Sequence, residues 1–177
     1  MADERGEKRL ERISRYYAAK GSYSVSFDLK MGEQKQEGIL MVDGNSSYVK
    51  IADVEVYIAD SLRYEVRGTS KEIVVDKADL YENELLNPLK GLSKLSADYE
   101  IEERMVNSTI TISLVPKRAG EMMSIEIASD GESISKVRYG AGDAAVEMKI
   151  KSTRKIAQSL PRFSKERYEG YEIIDFR

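Results

Sequence analysis

From Tyr23 the chain alternates: Tyr23, Val25, Phe27 and Leu29 are apolar, and Ser24, Ser26, Asp28 and Lys30 between them are polar. A period of two is the mark of an extended segment whose successive side chains leave opposite faces, so this stretch predicts a half-buried strand. The pattern recurs over 38–42, 48–51, 54–58, 62–66 and 72–75, then again over 99–105, 109–115, 122–128, 133–139 and 144–150. Turn residues punctuate it, among them Asp43-Gly44-Asn45, Asp60-Ser61 and Asp130-Gly131, the last a strong hairpin signal. Connections this short join antiparallel neighbours, because a parallel return needs a crossover of a dozen residues or more, so the segments predict a meander. About ten such strands are too many for a flat open sheet, and their inherited twist curls the sheet toward a barrel with its apolar positions inside.

Two segments break the period. Over 3–20, Leu10, Ile13, Tyr16 and Tyr17 recur at helical spacing among charged residues, and Gly21 follows, which predicts an amphipathic helix with one narrow buried stripe and a solvated opposite face. Between the two strand series, Leu85, Leu86, Leu89, Leu92 and Leu95 share a helical face that Pro88 and Gly91 limit to short turns. The expected destination of that leucine face is the apolar side of the sheet. The fold class expected is therefore mainly β with α: a curled antiparallel sheet forming an unclosed β-barrel, covered by an N-terminal helix and a short helical insert. With two helical segments available, the interior is either filled by side chains or left partly open as a ligand cavity.

Composition removes most chemistry. The 177 residues contain no His, Cys or Trp, which excludes histidine catalysis, thiol nucleophiles, His- or Cys-held zinc and disulfides. The length fits a single domain over 1–177, and a net charge of -3 offers no global positive field for nucleic acid. No run of eighteen apolar residues occurs, so no membrane-spanning helix is expected. The acidic pair Asp76 and Asp79 and the group Glu100, Glu102 and Glu103 lack EF-hand order, and alternation sends strand neighbours to opposite faces. Tyr139-Gly140-Ala141-Gly142-Asp143 lacks the third glycine of a phosphate loop and leads into a strand, which makes it a hairpin turn. No catalytic residue, metal or cofactor is expected. One local charge bias stands out: Lys149, Lys151, Arg154, Lys155, Arg162, Lys165 and Arg167 against Glu166. It either guards a sheet edge or meets lipid phosphates or an acidic partner.

The order of elements, a helix, then SYSVSFDLK, a glycine-led strand QEGILMV, the ELLNPL insert and a closing RFSKERYEGYEIIDFR, resembles the LolA-like periplasmic carriers of outer-membrane lipoproteins. The ending Ile173-Ile174-Asp175-Phe176-Arg177 is most similar to the branch found in Bacteroides-type bacteria. The resemblance covers the chain from Leu10 onward. It implies an unclosed barrel with a helical lid and a hollow that shelters lipoprotein acyl chains. It also implies a periplasmic, monomeric protein whose signal peptide has been removed. Its partners would be acylated lipoproteins or lipid acyl chains, an inner-membrane release complex and an outer-membrane acceptor. The Met-Ala start followed by charged residues fits that reading or a native cytosolic start.

Alternation assigns Val25, Phe27, Leu29, Leu40, Val42, Ile112 and Ile125, together with Leu86 and Leu89 of the insert, to the acyl-chain cavity. A register error of one residue would move every one of them to the wrong face. The family places a basic residue after the glycine-led strand to control release; here MVDGNSSYVKIA offers Lys50 alone, which either takes that role or sits on the outer face. Gly38 either admits a bend or a close ligand or marks a bulge. Methionines at 41, 105, 123 and 148 fall within strands, where they either adapt a surface to variable chains or fill gaps in the core. Two other readings of the same shape are a sensing or regulatory periplasmic domain and a filled barrel that acts as an interaction module.

Overall fold

The computed structural model of the chain describes residues 3–78 and 95–177. Helix α1 (Glu4–Ala18) leads into β1 (Tyr23–Met31), β2 (Gln34–Asp43), β3 (Ser46–Ile51), β4 (Val54–Ala59), β5 (Leu62–Arg67) and β6 (Glu72–Lys77). A one-turn helix α2 (Leu95–Asp98) precedes β7 (Tyr99–Val106), β8 (Thr109–Pro116), β9 (Met123–Ile127), β10 (Ile134–Tyr139) and β11 (Val146–Lys155), and β12 (Glu172–Asp175) closes the chain. Among the described residues these form one twelve-stranded sheet in the order β12-β6-β5-β4-β3-β2-β1-β11-β10-β9-β8-β7. The sheet is curled and unclosed, with a helix at its N-terminal end, the mainly β class with α expected from the sequence. No helix among the described residues is long and apolar enough to cross a membrane.

The sheet departs from a single meander in two ways. It is two meanders, β1 to β6 and β7 to β11, joined where β1 pairs antiparallel with β11, so β6 and β7 stand near opposite ends. Sequence neighbours pair locally, but alternation says nothing about which distant strand completes a pair. The second departure is β12, which adds to β6 in parallel, Glu172 opposite Glu72 and Asp175 opposite Val75. The turns follow the sequence closely: Asp60 and Ser61 both adopt positive φ, 53° and 64°, as do Asn107 and Ser108, 48° and 65°. Two successive left-handed residues are what a two-residue hairpin of the right twist requires.

One face, here the inner face, carries α1. Its core unites both meanders: Val25, Phe27, Leu40, Val42, Val49 and Val56 from one, Ile112, Leu114, Ile125, Val137 and Met148 from the other, closed by Leu10, Ile13 and Tyr17 of α1. Asp3 caps α1 by accepting the Arg5 N–H at 3.0 Å, and its second oxygen accepts the Glu103 N–H at 3.1 Å. These backbone donors, Glu103 first, hold the Asp3 carboxyl below its ordinary range. Arg9 donates to Glu103 at 3.1 Å and to the Gly131 carbonyl at 3.0 Å, and Gly6 sits so close to β7 that an added Cβ would come within 2.8 Å of Ile101 Cγ2. The helix is thus pinned over β7 at both its polar and apolar contacts.

The opposite, outer face has a core of its own. Met41, Tyr48, Tyr57, Val66, Ile73, Val75 and Tyr168 are buried there, with Tyr64, Ile156, Leu160, Phe163 and Tyr171 packed against them. The cover is the C-terminal strap, residues 156–171, which crosses the outer face before β12 joins the edge. This corrects the expectation that apolar positions all line the inside. In β5 and β6, Tyr64, Val66, Ile73 and Val75 face outward to the strap, because the strap offers them a dry surface. Arg63 and Glu65 consequently face inward.

Gly38 lies opposite Phe27 across the β1–β2 pair. The Phe27 ring, fully buried, fills the space above it: a methyl on Gly38 would fall inside van der Waals distance of Cε2 and Cζ, with Ile51 Cγ1 at 3.0 Å. What needs the missing side chain at Gly38 is thus neither a ligand nor a bulge but the packing of an aromatic side chain of the same protein.

Candidate functional site

Where β1 to β5 line the inner face beyond α1, the wall borders an open hollow of about 310 Å³. Val49 and Ile51 of β3 and Val54 and Val56 of β4 form its floor, Leu29 and Met31 of β1 with Gln36 of β2 one side, and Arg63 and Glu65 of β5 the other. Ala52 and Asp53, in the β3–β4 turn, stand at one end. The floor is apolar because β3 and β4 alternate with Val49, Ile51, Val54 and Val56 pointing inward, while their partners Tyr48, Lys50, Glu55 and Tyr57 point outward. A polar hollow of about 490 Å³ at the β1–β2 and β10–β11 hairpin ends, lined by Lys30, Glu33, Arg138, Asp143 and Glu147, has no comparable apolar floor.

The charged side of the hollow is ordered. Arg63 donates from Nη2 to Glu65 Oε2 at 2.7 Å, and Arg67 donates from Nε to Glu65 Oε1 at 2.7 Å. The side chains of Arg63 and Glu65 are each only 17% exposed. Burial by itself would raise the Glu65 carboxyl, but the two guanidiniums outweigh it and hold it below the ordinary range. At the turn, Asp53 accepts both the Thr69 N–H, at 2.8 Å, and the Thr69 hydroxyl, and these bonds lower its carboxyl as well.

The residues assigned to the cavity from alternation share the inner face. Leu29 borders the hollow. Val25, Phe27, Leu40, Val42, Ile112 and Ile125 lie deeper, 0–5% exposed in the main core. The reason is α1: its stripe of Leu10, Ile13 and Tyr17 occupies the part of the inner face where β1 and β8 to β11 meet, leaving the space over β3 and β4 as the hollow. Leu86 and Leu89 lie outside the described residues, and Leu95, the last leucine of the insert, is 6% exposed in the main core. Of the two placements open to Lys50, the structure shows the outer one. Lys50 is exposed, stands opposite Glu55, and is on the far side of the sheet from Val49 and the hollow. Among the methionines, Met123 and Met148 fill the inner core and Met41 the outer one, whereas Met105 is 68% exposed and Met31 borders the hollow.

Sequence reasoning missed Arg63 and Glu65. The signal was present in LRYEVR, where a charged residue alternates with Tyr64 and Val66, but reading it required knowing that the aromatic face points out. The basic run also divides: Lys151 bridges Glu37 at 2.7 Å and Asp28 at 3.2 Å on the sheet, while Arg162, Lys165 and Arg167 belong to the strap.

No protein-family model matches the sequence, and no curated protein does. Solved structures match the fold. A conserved protein of uncharacterised function from Thermus thermophilus aligns over 97% of this chain and 99% of its own, at 9% identity and a TM-score of 0.64. The MucA/MucB complex of Pseudomonas aeruginosa matches over 93% of this chain and 60% of the matched chain, at 11% identity and a TM-score of 0.52. A DUF1329 family protein from Desulfovibrio piger matches over 94% and 97%, at 10% identity and a TM-score of 0.51. At such identities the likeness is one of fold, and it does not reach a particular branch of carriers.

Proposed function

We propose that the chain is a periplasmic carrier that shelters a lipid or lipoprotein acyl chain in the hollow over β3 and β4 and has no covalent chemistry of its own. The observation that carries this reading is an apolar floor reached from the inner face of an unclosed sheet, without the histidine, cysteine or tryptophan on which many other chemistries depend. Its volume, about 310 Å³, stands at the lower end of the ~300–1,000 Å³ typical of ligand pockets, which suits one chain better than three. At ~0.8 kcal/mol per buried methylene, eight to ten methylenes contribute ~6–8 kcal/mol, an affinity in the micromolar range that lets cargo leave again. Transfer from an inner-membrane release complex to an outer-membrane acceptor, by a monomer, belongs to the same reading. Lys50, on the outer face, contributes to it only as a surface contact for such partners.

Displacement of a fluorescent fatty-acid analogue tests the proposal directly. The wild-type chain is expected to show saturable uptake. Val54→Trp, at a half-buried position on the floor, is expected to weaken it at least tenfold while circular dichroism and the unfolding midpoint stay close to wild type. Uptake that does not saturate, or that survives Val54→Trp unchanged, overturns it.

The match to a chain solved in the MucA/MucB complex supports a second reading, a domain of this fold that binds a protein partner, as a sensing domain would. Capture from periplasmic extract separates the two: a carrier retains acylated lipoproteins and loses them when their acyl groups are removed, whereas a sensor retains its protein partner in either case.

A further inference from the structure

We infer that Gln36 receives the head of the bound ligand at the rim of the hollow, and that this ligand is a single-chain amphiphile whose head is uncharged and both accepts and donates hydrogen bonds, as an acyl ester with free hydroxyls does. The inference rests on the lipid-binding reading above and adds the orientation of the ligand and the chemistry of its polar end. The hollow has a deep end and a rim. Val49 and Val56 are 3% and 5% exposed, Ile51 and Val54 are half-buried, and Ala52 and Asp53 in the turn beyond them are exposed. Gly38 pairs with Ile51, so Gln36, two residues back on the same face of β2, stands level with that turn. Its neighbour across the β1–β2 pair is Leu29, beyond which the exposed Met31 ends β1. A chain entering this gradient buries its far end against Val49 and Val56 and leaves its head beside Gln36.

Four polar side chains border the hollow, Gln36, Asp53, Arg63 and Glu65, and among the described residues only Gln36 is without a hydrogen-bond partner. Asp53 is engaged by Thr69 through both its N–H and its hydroxyl. Glu65 is shared between Arg63 and Arg67, and Arg63 has a further interaction besides Glu65. Glu65 lies opposite Val56 and Arg63 opposite Ile58, so this saturated group flanks the deep end and not the rim. A charged head drawn to it would give up its water without finding a free counter-charge. An anionic head left at the rim would face the Asp53 carboxylate, and a cationic one would find that carboxylate already committed to Thr69. The Gln36 amide offers two N–H donors and one carbonyl acceptor. An ester carbonyl can take the first and a hydroxyl can give to the second, so an uncharged head is matched on both sides.

Competition binding with monopalmitoylglycerol, palmitate and hexadecyltrimethylammonium, below the concentrations at which they aggregate, tests the inference. The three chains are equal in length and the heads are neutral, anionic and cationic. The wild-type chain is expected to bind monopalmitoylglycerol about fivefold more tightly than either charged ligand. Gln36→Leu is expected to remove that advantage while the charged ligands bind as before. Gln36→Glu, which puts a negative charge at the same place, is expected to weaken palmitate and strengthen hexadecyltrimethylammonium, each by about threefold. Should Gln36→Leu not fold, Gln36→Glu decides, and unchanged binding of both charged ligands counts against the assignment. No preference for the neutral ligand in the wild type, or a preference that survives Gln36→Leu, overturns the head-group role and leaves the cavity reading standing. Failure of all three to bind overturns the cavity reading itself.

Discussion

Substituting Gly38 by alanine is expected to destabilise the domain by about 1–3 kcal/mol, although glycine to alanine in a strand ordinarily gains through a stiffer unfolded chain. The methyl has nowhere to go: the Phe27 ring lies over the position and Ile51 Cγ1 is 3.0 Å away. Phe27 is 0% exposed at the centre of the inner core, so Phe27→Ala should cost more, about 3–5 kcal/mol, a large part of the ~5–15 kcal/mol that holds a domain folded. The two sites are in contact and must couple. Adding Phe27→Leu, which draws the ring away, is expected to relieve the strain of Gly38→Ala, so that the double variant loses about 1–2 kcal/mol less than the sum of the singles. Urea unfolding of the four proteins in the cycle measures this. A neutral Gly38→Ala, or strictly additive losses, would show that the ring does not need the glycine. Because Ile51 also borders the hollow, the same substitution should weaken ligand uptake by pushing the floor inward.

The contact between Phe27 and Gly38 marks where sequence reading stops. The alternation of Tyr23, Val25, Phe27 and Leu29 identifies a strand and one of its faces, since only one assignment buries all four, and the same logic locates β2 to β4 and β7 to β11. It cannot say that Phe27 meets Gly38 and not another glycine, because register is a property of the pair. Nor can it say that β1 pairs with β11, a contact between residues more than a hundred positions apart. Arg63 and Glu65 escaped for a different reason. Alternation in β5 is clear, but which side is inside depends on what covers each face, and the cover for Tyr64 and Val66 comes from Phe163 and Tyr168 far along the chain. The strap itself has neither period: Pro161 and Gly170 interrupt it, and Glu172-Ile173-Ile174-Asp175 is too short and too exposed to read as a strand. A segment that is ordered by the surface it lands on leaves little trace in its own pattern.

That strap gives the other large expected effect. Phe163 stacks on Tyr64 with ring centres 4.1 Å apart and planes 7° from parallel, and Tyr168 lies beyond it. Beneath them, Glu55 accepts the Tyr48 hydroxyl on one oxygen and the Tyr168 hydroxyl, at 2.8 Å, on the other, while the Tyr57 and Tyr168 hydroxyls stand 2.6 Å apart. Burial alone would raise the Glu55 carboxyl; the two tyrosine hydroxyls, aided by Lys50 and Arg167, reverse this and hold it below the ordinary 4.5. Burial first, then Tyr57 and Glu55, push the Tyr168 hydroxyl up, so it stays a donor at any ordinary pH. Tyr168→Phe therefore removes one of the two hydroxyl donors to a half-buried charge and leaves Tyr57 without this partner, and is expected to cost about 2 kcal/mol at pH 7. Phe163→Ala, which leaves a gap between Tyr64 and Tyr168, should cost a comparable amount. The pH dependence carries the sign. A carboxyl lowered by folding stabilises above its unfolded value near 4.5, and that stabilisation is lost as pH falls through the lower folded value. The stability difference between wild type and Tyr168→Phe should then be full at neutral pH and shrink below about 4.5, whereas the difference for Phe163→Ala, which involves no titrating group, should hold its size across the same range. Chemical unfolding at pH 7 and at pH 3.5, followed by tyrosine fluorescence, distinguishes them. Parallel behaviour of the two variants would mean that the strap is held by its aromatic rings alone and that Glu55 is a bystander.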